Sequence, residues 1–516
     1  MDTSVDHDQD QTIAFLLEAS SYGETGTVAR IDTHCAVVFL IGERAYKLKR
    51  AVKFLYLDYS TTELRQMACE SELRLNRRTA PDIYLEVRPV NRLPDGSLTF
   101  ESGGEPLDWI LVMRRFSQDD LFDSMALQHR LTPNILRDLT DHVVQFHTQA
   151  EVSRDFGGAE AIRAVIEGNL KNIALSQTIL SEDMAKQLTV ISLAALDRVG
   201  SILDTRRSSG QVRRCHGDLH LGNICLYEGE PTLFDCIEFS DEIACTDVLY
   251  DLAFLVMDLW RRELKAEANL VFNRYLDMAG DSQGLAAFPL FLSVRAALRA
   301  HVSAAASTIQ PSAGEVLRKE ADARHYLLQA IDFLSASKPC LVAVGGLSGT
   351  GKSTLAKAFA PELGVAPGAR LLRSDVIRKR IRDATPESRL PETVYTKEER
   401  ERIYRELGHR ATAALGSGYA VMVDAVFANP EERHAIAEVA LKAGVEFQGL
   451  WLTAPTHVLE ARLEQRHNDA SDATVAILRQ QLGYQIGLVA DWSTIDASGD
   501  EGLTLARARS AVESKA

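Results

Sequence analysis

Residues 346–353 read Gly346-Leu-Ser-Gly-Thr-Gly351-Lys352-Ser353, a Gly-x4-Gly-Lys-Ser/Thr pattern between the apolar run 341–344 and a stretch with helical spacing. Strand, glycine turn and helix in that order are the setting such a loop needs. Its glycines let the backbone curl until successive N–H groups face one anion, and the helix N-terminus adds a favourable dipole. The reading gives Gly346, Ser348, Gly349, Thr350, Gly351, Lys352, Ser353 and Thr354 to a phosphate cradle for ATP. Lys352 is expected on the β- and γ-phosphates and Ser353 on Mg2+.

Outward from the loop, buried-looking strands at 371–373, 421–424 and 449–453 alternate with helical intervals. That order predicts an α/β domain with a parallel sheet and helices on both faces. Carboxylates at the C-terminal ends of parallel strands face the ligand crevice. Asp375, after the second strand, is a candidate base for a substrate hydroxyl, and Asp424, ending the third, a candidate holder of Mg2+ or its waters. Arg462 and Arg466 stand four apart on a predicted helix, so both project from one face as candidates to close over transferring phosphate. The small, polar, proline-ended segment Ser335-Ala-Ser-Lys-Pro339 precedes the first strand and sets the expected domain boundary. It divides the chain into 1–334 and a P-loop domain at 339–516, expected to fold separately when cut there.

Over 339–498 this arrangement resembles the small P-loop kinases and the related polynucleotide-kinase and zeta-toxin-like proteins. Asp375 and Arg378 match that group's Asp-x-x-Arg element, which implies a base and a substrate-orienting arginine. The lid assignment, Arg466 before Arg462, is the looser match. Substrates in this group range from sugars to nucleic-acid ends.

In the first part, strand-like runs at 36–41 and 44–49 flank a Gly-Glu turn, and Ser60 with Glu63 reads as the capping box of a helix running toward Ala80-Pro81. Another apolar strand falls at 110–113, and helical periodicity dominates 132–201. A small mixed lobe thus precedes a helical one. His216-Gly-Asp218-Leu-His220-Leu-Gly-Asn223 is followed by Leu233-Phe-Asp235, a spacing that supplies a base, Asp218, and two metal ligands, Asn223 and Asp235, for phosphoryl transfer. Lys47 and Lys49 share a strand face, because alternate strand residues point the same way. One of them is expected on the ATP phosphates, with Glu72 as ion-pair partner and Glu70 as rival. Met113 is placed like a hinge residue that contacts adenine.

These elements, over 11–334, resemble the aminoglycoside phosphotransferase family. The resemblance implies a bilobal α+β fold of the protein-kinase kind, and residues 216–223 match the family's His-Gly-Asp-Leu-His-x-Gly-Asn loop one by one. Asp247 and Asp251 match acidic positions of its helical lobe, which implies that they buttress the loop. Gly23 and Gly26 do not make the Gly-x-Gly-x-x-Gly of protein kinases, so no phosphate-covering loop is defined. The order of the two modules resembles bacterial proteins described as bifunctional phosphotransferase and ATP-binding proteins.

Composition agrees with a folded chain: of 516 residues, 46% are hydrophobic and 25% charged. From Lys338 onward, 23 basic residues meet 23 acidic ones, so the net charge of −15 belongs to the first part. That balance argues against nucleic acid as its partner and permits a cationic substrate. Seven cysteines without a Cys-x-x-Cys pair read as buried free thiols. The strongest apolar run, 248–260, is broken by Asp251 and Asp258, so no membrane span is expected. The acidic N-terminus, with residues 1–10 expected to be disordered, lacks the pattern of a signal peptide, and a cytoplasmic location is expected.

The leading expectation is an ATP- and Mg2+-dependent phosphotransferase acting on small-molecule hydroxyls, with a site in each module. The alternative is a regulatory protein whose kinase-like part senses a ligand and controls the P-loop part. Retention of Asp218, Asn223 and Asp235 together favours catalysis. Nucleic-acid end phosphorylation is the lesser choice, since the basic cluster 373–382 lacks an aromatic platform. The acceptors and the oligomeric state stay open.

Overall fold

The computed structural model describes residues 9–54, 57–308, 310, 312–465, 471–489 and 491–514. The chain forms two compact units, Met1–Gly158 with Arg206–Leu255, and Ala159–Thr205 with Val256–Ala516.

In the first unit a six-stranded antiparallel sheet has the order Ala29–Asp32, Ala36–Ile41, Arg44–Lys49, Glu105–Arg114, Tyr84–Arg92, Leu98–Thr99. Strand alternation decides what each face does. Val37, Phe39, Tyr46, Leu48, Ile110 and Val112 pack with Leu16 in one core, which leaves Lys47 and Lys49 on the opposite face, turned to the helix Thr62–Asn76. That helix is capped by Thr61, whose hydroxyl accepts the Leu64 N–H. The expected cap, Ser60, instead donates its hydroxyl to Asp58 and sits one residue too early. The helix also stops at Asn76 rather than reaching Ala80. Below the sheet, the hairpin Ile224–Tyr227 with Glu230–Leu233 and the pair Val212–Arg214 with Cys245–Asp247 frame the residue 215–223 loop.

The second unit contains a five-stranded parallel sheet in the order Arg370–Arg373, Val421–Asp424, Cys340–Gly346, Glu446–Thr453, Ser493–Asp496. Four of these strands match the sequence reading. The fifth, Ser-Thr-Ile-Asp, is too short and polar to announce itself. Val342, Val344, Leu450 and Leu452 form one core with Leu355, Ala356 and Phe359 of the helix Lys352–Phe359 and Ala508 of the helix Glu501–Glu513. The helices Lys397–Gly416 and Pro430–Ala443 also pack on the sheet.

This unit also takes in helices that precede the expected 335–339 boundary. The helix Lys265–Ala279 lies along the outer strand: Asn269 donates to Pro367 O at 2.9 Å, Asn273 accepts the Leu371 N–H at 2.8 Å, and Asp277 pairs with Arg370. Residues 335–339 therefore fall inside a compact unit, because a row of buried amides binds the helix to the sheet edge.

All seven cysteines are free thiols, five of them buried, and burial pushes those of Cys69, Cys225 and Cys236 up to about 12. Among the described residues one helical stretch, Leu285–Ser307, is long and apolar enough to cross a membrane by length and composition, and 67% of its most apolar window is buried within the fold. The sequence reading had singled out 248–260. The alanine-rich 285–307 run escaped it because Arg295 and Arg299 interrupt the apolar pattern.

Candidate active sites

In the first unit, the loop after Val212–Arg214 is held from below. Asp251 accepts the N–H of His216 at 3.1 Å and of Gly217 at 2.9 Å, and meets His147 Nε2 at 3.1 Å. His216 donates Nε2–H to Phe234 O at 2.9 Å, and burial, against the pull of Asp251 and Asp218, lowers its pKa so that it stays neutral. Asn223 donates its amide to Asp218 O at 3.0 Å and to Asp218 Oδ2 at 2.9 Å. His220 Nε2 lies 3.4 Å from the same Asp218 oxygen, while its Nδ1 accepts the Gly222 N–H at 3.1 Å.

Lys47 joins the sheet to this loop region. Its ammonium donates to Glu72 Oε1 at 2.7 Å and to Asp235 Oδ1 at 2.6 Å. Burial alone would lower the Lys47 pKa, but Asp235 and then Glu72 outweigh it and hold the pKa well above the ordinary lysine value. Lys49 donates to the other Glu72 oxygen at 2.6 Å and pairs with Glu238. The NH2 of Asn223 is turned to Asp218, and the Asn223 amide oxygen and the Asp235 carboxylate are both oxygen donors. Such a set suits a hard cation such as Mg2+.

In the second unit, Gly346, Gly349 and Gly351 have φ of 141°, 83° and 88°, values that L side chains rarely adopt. Thr350 and Lys352 both donate to Leu347 O, at 2.8 and 2.9 Å, and the buried Ser348 N–H donates to Gln481 Oε1 at 2.8 Å. Ser353 donates its hydroxyl to Asp424 Oδ2 at 2.6 Å, and Arg373 reaches the same oxygen at 3.3 Å. Hydroxyl and carboxylate oxygens are again donors of the kind Mg2+ takes. Asp375 lies in the first turn of the helix Ser374–Arg380 and pairs with Arg378 at 2.7 Å. Arg378 in turn lies over the Tyr395 ring, 4.8 Å from its centroid, and Tyr395 donates to Asp472 at 2.6 Å. Arg462 donates to Gly499 O at 2.9 Å and lines a cleft of about 220 Å3 with Thr350, Gly351, Thr354, Glu501 and Thr504.

Comparison with known proteins gives two kinase-type domains in the expected order. Residues 68–288 match the phosphotransferase enzyme family, and residues 341–485 match an AAA domain family. The uncharacterized protein Rv2004c of Mycobacterium tuberculosis is 30% identical over 485 residues, covering 91% of this chain and 92% of that one. The chain belongs to the Rv2004c family. It is also 31% identical over 117 residues to an adenylyl-sulfate kinase of Myxococcus xanthus, covering 23% of this chain and 59% of that one. The crystal structure of a choline/ethanolamine kinase family protein from Mesorhizobium loti covers 63% of this chain and 99% of its own, at 14% identity and a TM-score of 0.36. A kinase-like phosphotransferase domain followed by a P-loop kinase domain is thus the architecture of this Rv2004c family member.

Against this architecture the expected residues fall as follows. Asp235 meets Lys47, which meets Glu72, and Asp218 meets Asn223, whose backbone carbonyl accepts the N–H of Phe234 next to Asp235, whereas Glu70 is exposed and bonded to Gln66. Lys49 faces the same way as Lys47 but does not reach Asp235. Met113 lies within a strand that runs on to Arg114, paired with Ala45 and Tyr84, so the chain leaves the sheet later than expected. Asp251 buttresses the loop, while Asp247 pairs with Arg206 at 2.7 Å. Arg462 lies by Gly351 and Gly499, and Arg466 lies outside the described residues. The sequence reading missed Glu238, Tyr59, Gln481 and the segment 499–504. Of these, Glu238 had a signal, its place three residues after Asp235 in Phe-Asp-Cys-Ile-Glu-Phe.

Proposed function

We propose that the chain is an ATP-dependent phosphotransferase that carries a Mg-ATP site in each module and transfers phosphate to hydroxyl groups of small molecules. One observation carries this reading. Lys47 bridges Glu72 and Asp235 while Asn223 holds Asp218, which supports a transfer site with a phosphate-binding and a proton-accepting half in this unit. In that unit Lys47 takes the ATP phosphates, Asp218 accepts the proton of the acceptor hydroxyl, and Asp235 with Asn223 would hold Mg2+. In the P-loop module Lys352 and the loop amides bind phosphate, Ser353 and Asp424 would hold the metal, and Asp375 accepts a proton while Arg378 orients the acceptor. Bound Mg2+ supplies charge neutralisation at the phosphates. We assign Arg462 to the nucleotide, because it lines the cleft beside Gly351 and Thr354.

The adenylyl-sulfate kinase relative supports small-molecule kinase chemistry in the P-loop module. A cytoplasmic location is part of the same proposal. The regulatory reading draws on a different observation, the helix Lys265–Ala279 fastened to the strand that leads to Asp375.

The test is an ATP-consumption screen of the full-length chain against hydroxylated metabolites and aminoglycosides, repeated with Asp218→Asn, Lys352→Ala and the double variant. Acceptor-dependent turnover lost in one single variant assigns the acceptor to that module. Mg-ATP binding without turnover on any acceptor overturns the catalytic reading in favour of the regulatory one.

A further inference from the structure

The strand Arg44–Lys49 sends two lysines to the face covered by the helix Thr62–Asn76, and both rest on one carboxylate: Lys47 takes Glu72 Oε1 and Lys49 takes Oε2. Their second partners differ. Lys47 goes on to Asp235 and keeps 15% of its side chain exposed. Lys49 goes to Glu238 and is 3% exposed. Glu238 also accepts the Tyr59 hydroxyl at 2.6 Å. Desolvating charges this deeply costs several kcal/mol per ion unless each is paired, and here each is.

The segment that carries the metal-binding aspartate is tied at every step. Asp235 has φ of +60°, a conformation sparsely populated outside glycine, and its N–H donates to Tyr84 Oη at 3.0 Å. Cys236 N–H donates to Asn76 Oδ1 at 2.9 Å and Ile237 N–H to His216 O at 2.9 Å. The Glu238 carboxylate closes the segment onto Lys49. Asn76 belongs to the helix that carries Glu72, and its amide donates back to Glu72 O at 3.0 Å.

We propose that Lys49 and Glu238 are positioning residues that hold Asp235 where it binds metal and keep Glu72 on Lys47, rather than nucleotide-binding groups in their own right. This rests on the reading of Asp235 as a Mg2+ ligand. Lys49, with 3% of its side chain exposed and its ammonium on Glu72, Glu238 and Tyr59, has little surface to offer a phosphate. Burial would lower its pKa, but Glu238 and Glu72 outweigh that, so it stays charged as the clamp requires. Without the Glu238 charge, the left-handed turn at Asp235 loses its downstream anchor and metal affinity falls, whereas nucleotide contacts elsewhere persist.

The test uses the full-length chain carrying Lys352→Ala, and follows binding of a fluorescent ATP analogue as Mg2+ is titrated, with thermal unfolding measured in parallel. Glu238→Gln and Lys49→Met are expected to raise the Mg2+ concentration for half-maximal binding by about ten- to hundredfold, the usual effect of removing a group that orients a metal ligand. Binding without Mg2+ should be unchanged, and Lys49→Arg, which keeps the charge, should stay near the parent. If Asp235→Ala loses the Mg2+ dependence while Glu238→Gln titrates like the parent, the positioning role is wrong and the metal reading stands. If Asp235→Ala itself titrates like the parent, the metal reading fails. Equal weakening with and without Mg2+ in Glu238→Gln would mean a structural role only and overturns the proposal. Should Glu238→Gln not fold, Tyr59→Phe removes one bond to Glu238 and should move the Mg2+ midpoint in the same direction; no movement there overturns it too.

Discussion

Asn273 Oδ1 accepts the Leu371 backbone N–H at 2.8 Å, and its Nδ2 donates to Ala369 O at 3.2 Å, so one side chain does for an outer strand what a neighbouring strand would do. An uncovered strand edge is a template for unwanted pairing. Asn273→Leu leaves the Leu371 N–H and the Arg370 guanidinium short of an acceptor they now share, at a cost of about 1–3 kcal/mol. Its thermal unfolding temperature is expected to drop, while Asn273→Asp, which keeps an acceptor, drops less.

The same contact bears on where the chain may be cut. A fragment of residues 339–516 lacks the helix Lys265–Ala279 and exposes Tyr419, which now stacks on Phe272 at 5.5 Å. It is expected to unfold at lower temperature than a fragment beginning at 256. Equal unfolding temperatures would show that the helix adds nothing and that the boundary read from 335–339 serves as a clean division.

Much of this was readable from local pattern, and what was not depended on register and distance. The P-loop and the 216–223 loop were legible because their chemistry is contiguous: glycines and fixed spacings act on backbone nearby. Lys47 and Lys49 could not be told apart, since period-two alternation puts both on one face and only Asp235, far away in sequence, distinguishes them. Glu238 sits in a loop with no periodicity, where its place three residues after Asp235 is the one signal it carries. Asn269, Asn273 and Asp277, four apart, mark one polar stripe of a helix whose amides are buried. That stripe was a usable sign that the helix docks on something polar, though not on what.

At the P-loop, Lys352→Ala removes a charge-assisted contact worth roughly 1.5–3 kcal/mol, or about ten- to hundredfold in nucleotide affinity. Calorimetry in an Asp218→Asn, Asp235→Ala background isolates this site. Unchanged binding there would sink the phosphate role of Lys352.

His301 gives the second unit an acid-sensitive point. Its ring Nε2 lies 3.1 Å from Asn169 Oδ1, and burial lowers its pKa from 6.5 to about 4. The unfolded chain therefore binds a proton between those values that the folded chain refuses. Stability is full above 6.5 and falls as pH drops toward 4, by about 3 kcal/mol at most. His216, also lowered by burial, adds a slope of the same sign. In His301→Gln the fall in unfolding temperature between pH 6.5 and 4.5 should be visibly shallower than in the parent; an identical slope would exclude His301 as a source.

The roles of Asp218 and Asp235 should separate by experiment, because the two carboxylates face different partners. Asp218 is held by Asn223 and lies by His220, and its side chain is 37% exposed, open to an acceptor. Asp235 is held by Lys47, on the phosphate side. Asp218→Asn keeps size and an oxygen for Asn223 to donate to, but it cannot take a proton. It should bind Mg-ATP almost as the parent does and turn over about 10²–10⁴-fold more slowly, the usual worth of a positioned base. Asp235→Ala should weaken Mg2+-dependent ATP binding and leave binding without metal nearly unchanged. Both belong in a Lys352→Ala background, so that the P-loop site does not mask the result, with acceptor phosphorylation and nucleotide titration as the two readouts. Full turnover in Asp218→Asn would mean that the acceptor is deprotonated elsewhere, and the next residue to replace would then be His220, whose imidazole Nε2 stands 3.4 Å from that carboxylate.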